Sequence, residues 1–209
     1  MLQGVHKLLI RAHLNLDNPH DATIYTCLII VLYCIARLGE FMVQAISKFN
    51  PSKHIMQANV SHLQDPNGLP VMKFYIPTMK CTLETGEDTQ CAPQSGGITN
   101  PKAALENHFR VNLAPPDAHL FAWKHPNGLR ALSKTEVTNW LAAIVKTLNL
   151  ANFKGHSLHI GRTLHYLLKG VPFDVVKVMG YWAGDSFMIY LSRGPHLLQL
   201  HSHAPSSLA

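Results

Sequence analysis

The stretch GHSLHIGRTLHYLLKGVPFDVVKVMGYWAGDSFMIYLSR, residues 155–193, decides the fold. Apolar residues recur at helical spacing from about 157 to 169, and Gly170 stops that helix. Pro172 starts a second helix, Gly180 ends it, and a third runs from about 184 to 192. Three consecutive helices point to a helical scaffold at this end of the chain.

Upstream, the pattern stays mostly helical. Ser133-Lys-Thr-Glu136 is a capping box before Val137, Trp140, Leu141, Ile144, Val145 and Leu148. Asn100-Pro101 opens a helix to about Asn112. His119 to Trp123 reads as a short strand turning at Pro126-Asn127-Gly128. Between residues 55 and 91 the period changes to two. Ile55–Leu63 and Leu69–Ile76 flank the turn Asp65-Pro66-Asn67-Gly68, and Glu84 to Asp88 forms another turn. Nearer the N-terminus, residues 2–16 suit an amphipathic helix that Asn18-Pro19 breaks. Asp21 caps a helix to about 36 that is apolar nearly all round, hence central. After Leu38-Gly39, Glu40 to Phe49 reads as a further helix ending before Pro51. The expected fold class is α+β, mostly α: a helical bundle with a small antiparallel sheet of two or three strands.

Composition narrows the function. Hydrophobic residues make up 47% of 209, which excludes a disordered chain, while charged residues are only 14%. Eighteen Lys and Arg against 12 Asp and Glu leave a formal charge of +6, which favours a polyanionic partner. Residues 146–209 hold six of those cations and two acids. The most apolar run, Cys27 to Ala36, is too short to span a bilayer, and the first twenty residues do not read as a secretory signal, so no membrane role is expected. The cysteines at 27, 34, 81 and 91 form no CxxC pair and read as free thiols in a reducing compartment, cytosol or nucleus. Cys27 and Cys34, seven apart, share one helical face.

Together with Ala36-Arg37-Leu38-Gly39-Glu40-Phe41 and Pro77-Thr78-Met79-Lys80, the 155–193 stretch resembles the tyrosine recombinases, the phage-integrase-like DNA breaking-rejoining enzymes. The match is to the catalytic domain, of the crypton-like type found in eukaryotic mobile elements, and covers about residues 20 to 193. It rests on ARLGEF, a hairpin lysine, H-x-x-(R), GVPxDVVKxMG, and a tyrosine ten residues after that glycine. The resemblance implies site-specific recombination or integration through a 3′-phosphotyrosyl intermediate, with no metal and no cofactor. It assigns Arg37 to the scissile phosphate, Lys80 to protonating the leaving 5′-oxygen, His156 to a base or donor, and Tyr190 to the nucleophile. Glu40 orients its helix turn. Arg162, Lys169 and Lys177 join Arg37 and Lys80 as expected DNA contacts. Double-stranded DNA is the implied partner, a homo-oligomer on DNA the implied assembly, and the nucleus the implied location.

Two positions depart from that pattern. His159 stands where the family has its second arginine, and Tyr181, beside Trp182, stands at the family's His/Trp position. Tyr181 still donates one hydrogen bond. An imidazole offers one donor where a guanidinium offers a fork, and losing a transition-state donor costs about 3–4 kcal/mol. Strand transferase and catalytically dead DNA-binding module of the same fold therefore both stay open. A metal hydrolase built on His156, His159 and His165 is a remote third, since HExxH is absent and no acid lies beside them. Taken alone, Arg37 also reads as a helix-end cation, Lys80 as a solvated strand charge, and Tyr190 and Trp182 as packing aromatics. The resemblance implies a catalytic domain over 21–193, with 1–20 expected as a remnant of an N-terminal core-binding domain and 194–209 as a flexible tail.

Overall fold

The computed structural model describes residues 11–78, 85–94, 99–148 and 155–180. Its centre is helix α1, Pro19–Tyr33, with twelve consecutive buried residues from Ala22 onward. The Asn18 side chain caps it, accepting from the His20 and Asp21 backbone N–H groups, and Pro19 takes the first helical position. The cap is thus Asn18, not Asp21. A helix apolar on every side has to be enclosed, and this one packs against α3 (Pro101–Asn112), strand β4 (Ala122–His125) and α5 (Gly155–Leu168). Cys27 and Cys34 are both buried along it.

Two features anchor α3 to α1 through buried polar groups. The Thr26 hydroxyl lies 2.8 Å from both the Ala22 and Ala104 carbonyls. His108 donates from Nε2 to the Leu120 carbonyl at 3.0 Å. Its Nδ1 is then the acceptor facing Thr23 Oγ1 at 3.0 Å and Asn112 Nδ2 at 2.9 Å. Every group in that cluster has a partner, which is what burial demands.

Strands β1 (Val60–Gln64), β2 (Pro70–Ile76) and β3 (Glu87–Cys91) form an antiparallel sheet in that order. The period-two pattern sets its face: Met72, Phe74 and Ile76 are fully buried, while Lys73 pairs outward with Asp88 at 2.9 Å. Phe74 meets Phe41 edge-on, with ring centroids 5.9 Å apart, and Phe41 lies 6.1 Å from Phe121. A hairpin, β4 with β5 (Gly128–Ala131), leads into α4 (Lys134–Thr147), whose N-cap is Ser133 with the Glu136 capping box. Helix α6, Phe173–Met179, follows α5.

Three expectations give way to long-range pairing. The helix expected over Glu40–Phe49 is one turn, α2 (Leu38–Phe41), and a 3₁₀ turn at Ile46–Lys48. Between them Met42 is extended and Val43 bridges Ser133 in parallel, its carbonyl accepting from the Lys134 N–H at 2.9 Å, so this stretch pairs with a distant segment instead of closing helical bonds. The strand expected from Ile55 begins only at Val60. Residues 55–58 pair with the loop before β4: Gln57 and Ala58 donate to the Ala118 and Pro116 carbonyls, and Leu120 donates to Ile55. The turn expected over Glu84–Asp88 ends earlier, since Glu87 and Asp88 already belong to β3. At the N-terminus, the described part of the 2–16 helix ends by residue 13. The helix expected near 184–192 and the tail lie outside the described residues. No described helix is long and apolar enough to cross a membrane.

Candidate functional site

The site begins where α1 ends. Ala36 N–H reaches back to the Val31 carbonyl at 3.0 Å and Ile35 N–H to Leu32 at 3.3 Å, the paired bonds of a Schellman ending. That ending needs a left-handed residue, and Ile35 supplies it at φ 50°. Glycine usually occupies such a position; a β-branched residue there is strained. The turn aims the Ile35 carbonyl away from α1 and sends the next residues outward as an extended segment.

Arg37 is the first side chain to leave that turn and is the N-cap of α2. Glu40 grips it twice. One carboxylate oxygen accepts from the Arg37 backbone N–H at 2.8 Å and the other pairs with Nη1 at 2.9 Å. The Glu40 side chain is 7% exposed and that of Arg37 30%, so a buried carboxylate holds a guanidinium that still reaches solvent. Such a pair is a pre-positioned fork for an oxyanion. The expectation that Glu40 orients its turn agrees with this geometry.

Helix α5 closes the site from the other side. His159, 2% exposed, sits 2.7 Å by Nδ1 from the Ile35 carbonyl. A carbonyl can only accept, so Nδ1 carries the proton, and a neutral His159 presents Nε2 as an acceptor. That Nε2 is itself buried. Arg162, one turn on, is 4% exposed. Its guanidinium lies between two rings, 4.3 Å from the Tyr33 centroid and 4.2 Å from that of Tyr166, and donates to the Tyr166 hydroxyl at 2.9 Å. Thr163 bonds back to the His159 carbonyl at 2.9 Å. The structure thus places Arg162 inside, pinning α5 to the end of α1, and joins His159 to Ile35, two residues before Arg37.

The remaining sequence-derived residues divide. Lys169 is exposed at the end of α5, just before Gly170 (φ 78°), and Lys177 is half-buried in the last turn of α6. The backbone of His156 lies in the first turn of α5, but its side chain is outside the described set, as is that of His165. Lys80, Tyr181, Trp182 and Tyr190 lie outside the described residues. No group of three or more His, Cys, Asp or Glu that could hold a metal occurs among the described residues. Beside the site, burial and then a hydrogen bond with the Cys91 thiol push the Cys34 thiol well above its ordinary range, keeping it a neutral packing group.

Sequence reasoning missed Ile35, Tyr33 and Tyr166 as parts of the site. The spacing of Arg162 and Tyr166, four residues on one helix, was the available signal for the last. Nothing local marks Ile35, whose role appears only through its dihedral.

No protein-family profile matches the chain. No curated protein matches it either. Solved structures do. An FLP recombinase–Holliday junction complex matches with a TM-score of 0.52 and 13% identity, over 90% of this chain and 42% of that one. A Flpe–Holliday junction complex gives 0.52 and 12% over 89% of this chain, again covering 42% of the other. This chain therefore spans less than half the length of either recombinase. Among the described residues, six helices with a three-stranded and a two-stranded antiparallel sheet make an α+β fold similar to that of these recombinase structures.

Proposed function

We propose that the chain binds duplex DNA and breaks and rejoins one strand through Tyr190. One observation supports the reading: Arg37 is held at the surface by a buried carboxylate, two residues after Ile35, whose carbonyl takes His159 from a distant helix. In the proposed step the Tyr190 oxygen attacks phosphorus as the bond to the 5′-oxygen breaks. The tyrosine proton passes to His156, and Lys80 protonates the leaving oxygen. Arg37 stabilises the charge that grows on the non-bridging oxygens.

A second reading, a DNA-binding module that does not cleave, is favoured by His159. Its Nδ1 proton is committed to Ile35, so only the imidazolium form could donate from Nε2 to a phosphate.

Nicked duplex DNA separates the readings. Strand cleavage should leave protein joined to a 3′ end, persist in EDTA, and vanish in Tyr190→Phe. Salt-dependent binding with a log–log slope of about −0.9 per phosphate contacted, and no covalent product, selects the second reading. EDTA-sensitive cleavage that survives Tyr190→Phe selects a histidine metal site instead. Absence of binding at low salt removes DNA from the account.

A further inference from the structure

We infer that Arg162 is a positioning residue that holds His159 on the Ile35 carbonyl, and not a contact to DNA; the contrast with a DNA contact rests on the reading proposed above. Arg162 is 4% exposed. Its guanidinium carbon lies over the Tyr33 ring at 4.3 Å and over the Tyr166 ring at 4.2 Å, and one N–H donates to the Tyr166 hydroxyl at 2.9 Å. A phosphate would have to displace those contacts to reach it. No carboxylate lies within ion-pair distance of it among the described residues, so its charge serves no salt bridge there.

The contacts fall where they control His159. His159, Arg162 and Tyr166 stand at i, i+3 and i+7 on α5, along one face of the helix. That face meets the end of α1 at two places, two residues apart in sequence. One is the Tyr33 ring beneath the guanidinium, and the other is the Ile35 carbonyl, which accepts from His159 Nδ1 at 2.7 Å. A helix held at one point can still turn about its axis. Slipping by one residue rotates a side chain by about 100° and shifts it by about 1.5 Å, enough to break a short hydrogen bond. A second contact, one turn further along α5, removes that freedom. Tyr33 is itself tethered, its hydroxyl lying 3.3 Å from that of Thr99 ahead of α3.

The side chain suits that task. A guanidinium is flat and its N–H groups point in fixed directions, so it sets an angle as well as filling space. Methionine fills a similar volume, but its rotatable bonds let the helix settle at other angles. A substitution that largely spares stability should therefore still cost position.

The test uses the full chain with isotope-labelled histidine, the His159 Nδ1–H resonance being identified by its absence from His159→Gln. Arg162→Met should fold, as judged by a cooperative urea transition, and lose that hydrogen-bonded resonance. Tyr166→Leu, at a half-buried position, removes one ring and the hydroxyl and should lose it as well. Both variants should keep the wild-type salt slope of duplex binding, whereas Arg37→Gln should lower its magnitude by about 0.9, as loss of one phosphate contact requires. If Arg162→Met lowers the slope as Arg37→Gln does, Arg162 is a phosphate contact and the inference is wrong. If Arg162→Met keeps the resonance, Arg162 only packs, and the inference is wrong again; should that variant fail to fold, Tyr166→Leu decides the point. Wild-type protein without salt-dependent binding removes the DNA reading, while the resonance still decides whether Arg162 holds His159.

Discussion

Ile35 holds a left-handed backbone at φ 50° that its branched Cβ resists, at a cost of order 1–3 kcal/mol. The return for that strain is a carbonyl turned toward α5, where His159 meets it at 2.7 Å. This bond decides what the position can do. A neutral imidazole has one proton, and Ile35 has it. A guanidinium has five N–H donors, enough to satisfy the same carbonyl and still face a phosphate. His159→Arg should therefore raise Tyr190-dependent cleavage by about a hundredfold or more, with a far smaller gain in DNA affinity, because the added donor acts mainly in the transition state. Single-turnover cleavage of nicked duplex beside an equilibrium binding curve checks both halves. A folded, DNA-binding variant without cleavage would mean that more than this donor is missing. At this scale the sequence was half legible. The Arg37–Glu40 pair follows from i, i+3 spacing, but the partner of His159 depends on a dihedral that isoleucine rarely adopts.

Between elements, the join of α1 to α5 is made by Arg162 between Tyr33 and Tyr166. A buried guanidinium loses its hydration, and no carboxylate pairs with it among the described residues. Ring faces return part of that cost, about 2 kcal/mol each when desolvated. Methionine would keep most of the volume and contact the same rings through sulfur. Arg162→Met is therefore expected to cost less than about 1.5 kcal/mol, and Arg162→Ala about 3 kcal/mol from the void it leaves. Urea denaturation of the pair is the measurement; equal losses would show that the charge itself is required. The same contrast between local and distant causes explains which elements could be read in advance. Helix α4 follows from Ser133 and Glu136, and β2 from alternation, because the signals lie within a few residues. The Glu40–Phe49 segment failed because its hydrogen bonds go to Ser133 and Lys134, and 55–59 failed because its partners are residues 116–120.

Across the whole molecule, two buried histidines set a pH limit. Burial is the chief cause in both: it lowers His108 to about 4 and His119 to about 3 from an ordinary 6.5. Above pH 6.5 both are neutral whether the chain is folded or not, and their contribution is fully present. Below it the unfolded chain takes up protons that the folded core refuses, so stability falls with pH until the folded values are reached. At about pH 5 each site should have cost about 2 kcal/mol. Urea midpoints at about pH 7 and pH 5 test this, and His108→Gln, which titrates in neither state, should remove about half of the drop. An unchanged drop in that variant would assign the acid sensitivity to other groups. The enclosure of α1 has a further consequence, in the time domain. Its backbone amides are helically bonded and sealed by twelve successive buried residues, so solvent reaches them only when the whole core opens. Deuterium uptake there reports the global unfolding free energy, whereas α6, with Phe173, Val175 and Val178 exposed, exchanges through local opening and sets the fast end of the same scale.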